Sequence, residues 1–575
     1  MSKLTADSLK SVLPPHTPDM KNRIVASHCA GTPAYSICPA PAAGRPNPAC
    51  RKPGGITRML VFATSMALLA GNSALAQTPD TWTGNAGSGG LATWSTTGNW
   101  SSGAAPTASS IAVFDTTFTN QPKMTATGAA DSIWLGTGDG QNVSLTVNTL
   151  TLTGTGTTNG NSSVAILLDD TSNHNLNLTS STVTLANSTS FLVNNSGTLT
   201  IASALSLGSN TLTLGGDASG STVISGAIGG SGGSIIDNSL GIVTLGTSTS
   251  SSNSFSGGFA LNSGTLVLAA GEALTSTGTL TLGNSSGGSA NATLVVSDNA
   301  TATTYVYANS IVLGTTSGTL SIISAANNGG SINMTGAITG TNNLAFDANG
   351  TTHLNIQTGG VDITGTITNS GTGSAGGLVN ISAVISGTAT TIVQNSAATT
   401  LELSTANTFA GAVDIVSGTL AVLSSTALGT GTNIVTLGSG TSNGTFDDIA
   451  ATGITITNPI VVNSTSGTNI IMTTTLGNNQ HFADQISGTG NLAFNGSGGS
   501  NFLIVSGTIN NVGSIAISPS GTSGVELGTI GSNVNAIIGD SSAGAQSVGS
   551  ITVNSGTTTI TQNGSTTLAL TGGGP

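Results

Sequence analysis

Charge is the scarcest commodity in this 575-residue chain: 9 Lys+Arg and 21 Asp+Glu make up only 5% of it. A typical soluble domain carries about a quarter of its residues as charges, so the composition speaks against an ordinary soluble enzyme. Aromatic residues are equally rare at 3%, yet hydrophobic residues reach 37%, mostly single Leu, Ile and Val among Ser, Thr, Asn and Gly. That content is too apolar for plain disorder. The 82 glycines lack the every-third-residue spacing of a collagen helix. No basic residue follows Lys123 and no cysteine follows Cys50. No proline occurs between Pro122 and Pro459, as expected where almost every backbone amide enters a hydrogen-bonded ladder. Together these absences leave β structure as the fold class.

The longest apolar run, Met59 to Ala70, has about a dozen residues, short of the roughly 20 needed for a membrane-spanning helix. Arg51, Lys52 and Arg58 precede it, and small residues at Ala74 and Ala76 follow, which is the layout of a secretory signal cleaved before Gln77. The 58 residues in front of this run hold nine of the fifteen prolines and all three cysteines, Cys29, Cys38 and Cys50. They read as an extended export signal, or as sequence upstream of a true start such as Met20. A small metal module has no C-x-x-C pair to support it.

The exported portion, Gln77 to Pro575, has one Lys against 19 acids, a formal charge of −18, so nucleic acid is repelled. Short alternating pieces such as Val143-Ser-Leu-Thr-Val147, Val183-Thr-Leu185 and Leu280-Thr-Leu282 end in Gly, Asn or Ser, which is strand periodicity with turn punctuation. Two stretches share one pattern at identical spacing. Asn253, Phe255, Gly257, Gly264 and Leu266 correspond to Asn407, Phe409, Gly411, Gly418 and Leu420. A second pair matches Ile338–Phe346 with Ile486–Phe494, and Ser-Gly-Thr-Leu recurs from 196, 263, 317 and 417. Asn253 and Gly257 are expected at positive-φ corners, with Phe255, Phe259, Leu261, Leu266 and Leu268 facing inward. Coils of roughly 20 to 25 residues, stacked ~4.8 Å apart, would bury these lone apolar residues in one column.

At these residues the chain resembles the autotransporter-associated β-strand repeat proteins, whose unit runs L-x-L-x-x-x-N-x-F-x-G, then an apolar strand, then G-x-L-x-V. Leu401–Val422 fits it throughout. Trp82-Thr-Gly84, Trp94 and Trp100 resemble the Trp-rich opening of such proteins. The resemblance implies an all-β, right-handed parallel β-helix with a Trp-rich N-terminal cap, exported by Sec and displayed at, or released from, a Gram-negative outer membrane. The expected organisation is an extension and signal over 1–76, a cap over 77–125 and a β-helical passenger over 126–575. The family would carry a C-terminal β-barrel translocator; no such segment is read here, and a C-terminally truncated passenger is expected.

Catalysis is not expected. Gly-x-Ser-x-Gly occurs at Gly229–Gly233, Gly283–Gly287 and Gly440–Gly444, but none follows a strand and opens a helix as a nucleophile elbow does. His174, His353 and His481 are far apart, and the acid pairs Asp169-Asp170 and Asp447-Asp448 read as solvated turn acids or weak Ca²⁺ ligands. No cofactor or metal is expected. Trp82, Trp94, Trp100 and Trp134 read as the cap, with a sugar-stacking platform as the alternative. The functional expectation is a structural or adhesive surface protein whose cation-poor sides meet glycans or proteins of a host or neighbouring cell. A β-helical polysaccharide hydrolase and a self-associating matrix protein are the alternatives.

Overall fold

A computed structural model describes residues 77–575, apart from 88–90, 137, 139–140, 170, 172, 247–252, 270–273, 275–277, 298–303, 326–329, 374–375, 388–389, 475–477, 498, 554–556 and 573–575. The leader segment 1–76, with Ala74 and Ala76 of the expected cleavage site, lies outside the described residues, and Gln77 is the first of them.

The chain winds into a parallel β-solenoid of about 18 turns. Each turn places short strands on up to three faces. A first face carries thirteen strands in unbroken parallel order, from Thr78–Thr81 to Ile385–Ser386. The second and third faces follow around each coil and are joined wherever one strand bends through their shared corner, as in Val143–Leu152, Leu176–Leu185, Val413–Val422 and Ile460–Thr473. At the last of these corners Thr465, Ser466, Gly467 and Thr468 are exposed while Val462 and Ile471 on either side point into the core. The only antiparallel strand pair among the described residues is the hairpin Thr157–Thr158 with Asn161–Ser162, an excursion that lengthens its coil.

Alternation explains which residues go inside. Strand side chains point to opposite faces in turn, so in Phe259–Leu261 the first and last are buried and Ala260 is not. Register then stacks like on like: Phe191 lies beside Leu214, 23 residues on, and Phe494 beside Ile517, again 23 residues on. At ~4.8 Å per rung, a fully buried Leu or Ile of this column contributes roughly 1.5–3 kcal/mol. One continuous core runs from Trp82 to Val548. Near the N-terminus it is aromatic. Trp82, Trp94 and Trp100 are buried and pack edge-on or stacked, with centroids 4.7–6.5 Å apart, and Phe114 joins them.

The repeat residues hold a different kind of corner from the one expected. Phe255, Phe259, Leu261, Leu266 and Leu268 are all buried. Positive φ, however, falls at Gly258, Gly264 and Gly418, not at Asn253, Asn407, Gly257 or Gly411. Gly257 and Gly411 are needed because the neighbouring coil passes too close for a side chain. A Cβ on Gly257 would lie 2.7 Å from the Gly233 carbonyl, and one on Gly411 would run into that of Thr390. The asparagines act as side-chain rungs. Asn253 Oδ1 accepts the Ile228 N–H at 2.8 Å, and Asn407 Oδ1 accepts that of Ile385 at 2.8 Å while its Nδ2 donates to the Ala427 carbonyl at 2.7 Å.

That device matters most where the first face loses its strands. After Ile385–Ser386 two coils carry no strand there, and turns occupy 424–433. Phe409 and Leu428 still fill the core. Asn433 Nδ2 donates to the carbonyls of Phe409 and Leu428, and Asn458 Nδ2 to those of Thr430 and Asn433, at 2.9–3.0 Å. Strands then resume as a six-stranded parallel sheet, from Thr455–Ile456 to Leu568–Leu570.

The two copies of the repeat do not occupy the same faces. Phe259–Leu261 belongs to the first face and Gly264–Leu268 to the second, whereas Val413–Ile415 lies on the second and Gly418–Val422 on the third. Ile338–Gly340 and Leu344–Phe346 sit on the first and second faces; Ile486 and Leu492–Phe494 sit on the second and third. Both pairs advance by one face. All three faces present the same environment to a strand, a parallel ladder outside and the common core inside, so one local module serves any of them.

Replacing Asn407 with Ala strips the Ile385 N–H and the Ala427 carbonyl of their partners inside the stack, at a cost of about 1–3 kcal/mol. The exposed Asn238, which only accepts from Asn262 across the surface, should cost within about 0.5 kcal/mol when changed to Ala. Urea unfolding of the two variants measures the difference, and equal losses would show that Asn407 is not a structural rung.

Candidate functional site

The acids divide by face. Asp237 ends the strand Ser234–Asp237 on the inward side, with Leu214 and Leu261 as its rung partners, and is fully buried. Its Oδ1 accepts the Ser239 N–H at 2.9 Å and the Ser239 hydroxyl at 2.6 Å, while Oδ2 has no partner. Burial pushes its pKa up to about 7 against the lowering effect of those two bonds. Asp448 is also fully buried, between Val422 and Thr473, and Oδ1 accepts the Ala450 N–H at 3.1 Å. Burial, and more weakly the charge of Asp447, raise it to about 7. Asp447 faces the other way but is also largely covered, with the Thr474 hydroxyl donating to its carboxylate at 3.1 Å, and burial raises it to about 6. The pair Asp447-Asp448 is therefore not a pair of solvated turn acids. Two carboxylates on opposite faces of one strand cannot converge on a substrate.

Some polar residues elsewhere in the interior satisfy one another. Asn369 Nδ2 donates to Gln394 Oε1 at 2.7 Å, and Gln394 Nε2 donates to the carbonyls of Ser396 and Thr399, each at 2.9 Å. The three Gly-x-Ser-x-Gly stretches fall in turns, with positive φ at Gly230, Gly232, Gly283, Gly287 and Gly440. None opens a helix; the single helical element among the described residues is the 3-10 turn Thr97–Asn99. His353 and His481 lie on separate strands and His174 in a connection. No group of three His, Cys, Asp or Glu able to hold a metal occurs among the described residues.

Trp134 departs from the other tryptophans. In Ser132–Leu135 it is Ile133 and Leu135 that enter the core, so Trp134 points outward and is half-buried. Its rung partners on that outer side, Val113 and Leu167, are buried. The indole Nε1 donates to Asp169 Oδ1 at 2.6 Å, and Asn159 Nδ2, from the hairpin turn, donates to Asp169 Oδ2 at 2.5 Å. Phe114, Leu135 and Leu168 are partners in three successive coils, so Asp115, Gly136 and Asp169 follow one another up the adjoining corner. Gly136 leaves its rung without a side chain. A Cβ there would lie 2.9 Å from that of Asp115 and 3.5 Å from the indole Cε2. One carboxylate oxygen of Asp115, Oδ1, is buried and has no hydrogen-bond partner. An aromatic surface thus stands beside a side-chain-free rung, with a carboxylate one rung below and one rung above.

No protein-family model, no curated protein and no solved structure matches the chain.

Alternation was the sequence signal for both features. In Ser-Ile-Ile-Asp237 and Thr-Phe-Asp-Asp448 the second-apart positions put an acid in an inward slot, and in Ser-Ile-Trp-Leu135 they put Trp134 in an outward one.

The buried acids set the pH dependence of stability. Unfolded Asp ionises near 3.8, whereas folded Asp237 and Asp448 ionise near 7. The folded state holds these protons over that window, so their stabilisation is full below pH 3.8 and is lost as pH rises to about 7. The unfolding midpoint should fall between pH 4.5 and pH 8, and the double variant Asp237→Asn with Asp448→Asn should flatten the dependence. A midpoint that instead rises with pH would contradict the assignment.

Proposed function

We propose that the chain is a secreted or surface-displayed passenger of autotransporter type, exported across the inner membrane and held at or released from a Gram-negative outer membrane, with a structural or adhesive role. The observation that carries this reading is the unbranched stack of about 18 turns, whose core is built from single inward residues and whose outer positions are mostly Ser, Thr, Asn and Gly. Such a stack grows by adding one coil to the last, each new strand finding its ladder on the coil before it. A chain threaded outward end first can fold in that order. The absence of cysteine after Cys50 keeps it free of disulfides during passage through an oxidising compartment. With one Lys against 19 acids, its sides suit neutral polar partners, glycans or proteins of a host or neighbouring cell, and disfavour polyanions.

Two measurements on native cells test this. Mass spectrometry of the extracellular or outer-membrane form should find an N-terminus at Gln77, and antibodies to the chain should label unpermeabilised cells or the medium. A product that stays in the cytoplasm with its leader intact would refute the proposal.

A further inference from the structure

We propose that Trp134, Asp169, Asn159 and Asp115 form a binding site for a neutral saccharide, a reading that rests on the displayed-passenger function and supplies its ligand class. Trp82, Trp94 and Trp100 are consumed by the core, while Trp134 is directed outward from a rigid parallel ladder. Its N–H is already engaged by Asp169, so the plane of the indole is set and the ring offers its apolar surface. Sugar rings match such a surface with their C–H faces and present hydroxyls around the rim. Ionised Asp accepts only, and Asp169, held from two sides by N–H donors, keeps further lone pairs for hydroxyl donors. Asp115 brings a second carboxylate, two rungs from Asp169, about 10 Å along the stack.

Gly136 lets Asp115 and the indole pack closely against its rung: a side chain there would collide with one or the other, so no side chain stands between the two carboxylates on that rung. The ligand's charge follows from the same residues. Two carboxylates flank the indole, and the chain has no basic residue after Lys123, so uronates and sulfated sugars are repelled and neutral ones are not. A polyamine would also be attracted to two carboxylates beside an aromatic ring. The fixed Asp169 and the amide of Asn159 favour hydroxyl recognition, and the polyamine becomes an arm of the test.

The experiment uses the full chain purified from its native cells. Maltohexaose, laminarihexaose, cellohexaose, N-acetylchitohexaose and spermidine are titrated by calorimetry. At least one neutral oligosaccharide should bind with Kd below ~10 mM, and Trp134→Ala should weaken it by about tenfold or more. Trp134→Phe keeps an aromatic surface over Val113 and Leu167 and should retain part of the affinity. Asp169→Asn, which can still accept the indole N–H, should weaken binding without moving the unfolding midpoint. Binding by no oligosaccharide to the folded wild type, equal binding by Trp134→Ala, or Trp134-dependent binding of spermidine alone would each overturn the site. Surface labelling of Trp134→Ala cells separates the two readings. Labelled cells with no sugar binding by the wild type overturn the saccharide site alone, whereas absent labelling of wild-type cells overturns the display and leaves the titration to decide the site.

Discussion

Everything in this molecule depends on the registered stacking of parallel backbone rungs. A lone Leu in a Ser- and Thr-rich strand buries little by itself, and a single coil of three short strands has no interior. When Phe191 settles beside Leu214, each buries part of the other, and repetition turns isolated residues into one core from Trp82 to Val548. The same register satisfies the backbone, since the amides of the stacked strands find their partners one coil away. Low charge and low aromatic content follow from this design: the exterior is a set of polar ladders, and the interior has room for one residue per strand position.

Where the first face loses its strands, amide side chains reinforce the backbone bonds that remain, such as that from the Thr408 N–H to the Ile385 carbonyl. Asn407, Asn433 and Asn458 carry the first face across two coils without strands, each bonding backbone groups of a neighbouring coil. Asn suits the task because it donates and accepts from one short side chain, which Asp, Ser or Leu cannot reproduce. The interior tolerates amides paired among themselves, as in Asn369 with Gln394, but taxes a carboxylate such as Asp237 or Asp448 by holding its proton to near neutral pH.

Largely polar faces make the exceptions informative. Trp134 is fixed on the outer side of the first face by a ladder it did not need to join for core packing, and its indole hydrogen is tied to a carboxylate that is itself tied to Asn159. A rigid scaffold holding an aromatic ring and oriented acceptors is the arrangement in which weak surface contacts become a recognisable site, because little freedom is lost on binding.

Composition and alternation alone determined the all-β class and the inward identity of Phe255, Leu261, Leu266 and Phe409, because side-chain direction in a strand is a local property with period two. The recurring turn-plus-strand unit pointed to stacked coils, and the resemblance implied that their strands run parallel. Tertiary structure decided the rest. Which face a repeat copy occupies depends on the summed lengths of all preceding coils, so identical motifs land one face apart. Asn253 and Asn407 are rungs, not turns, because the coil that needs their amides lies some twenty residues away in sequence. Asp447 and Asp448 are buried for the same reason: what covers a residue in a solenoid is the next coil, and local sequence does not say how closely that coil will pass.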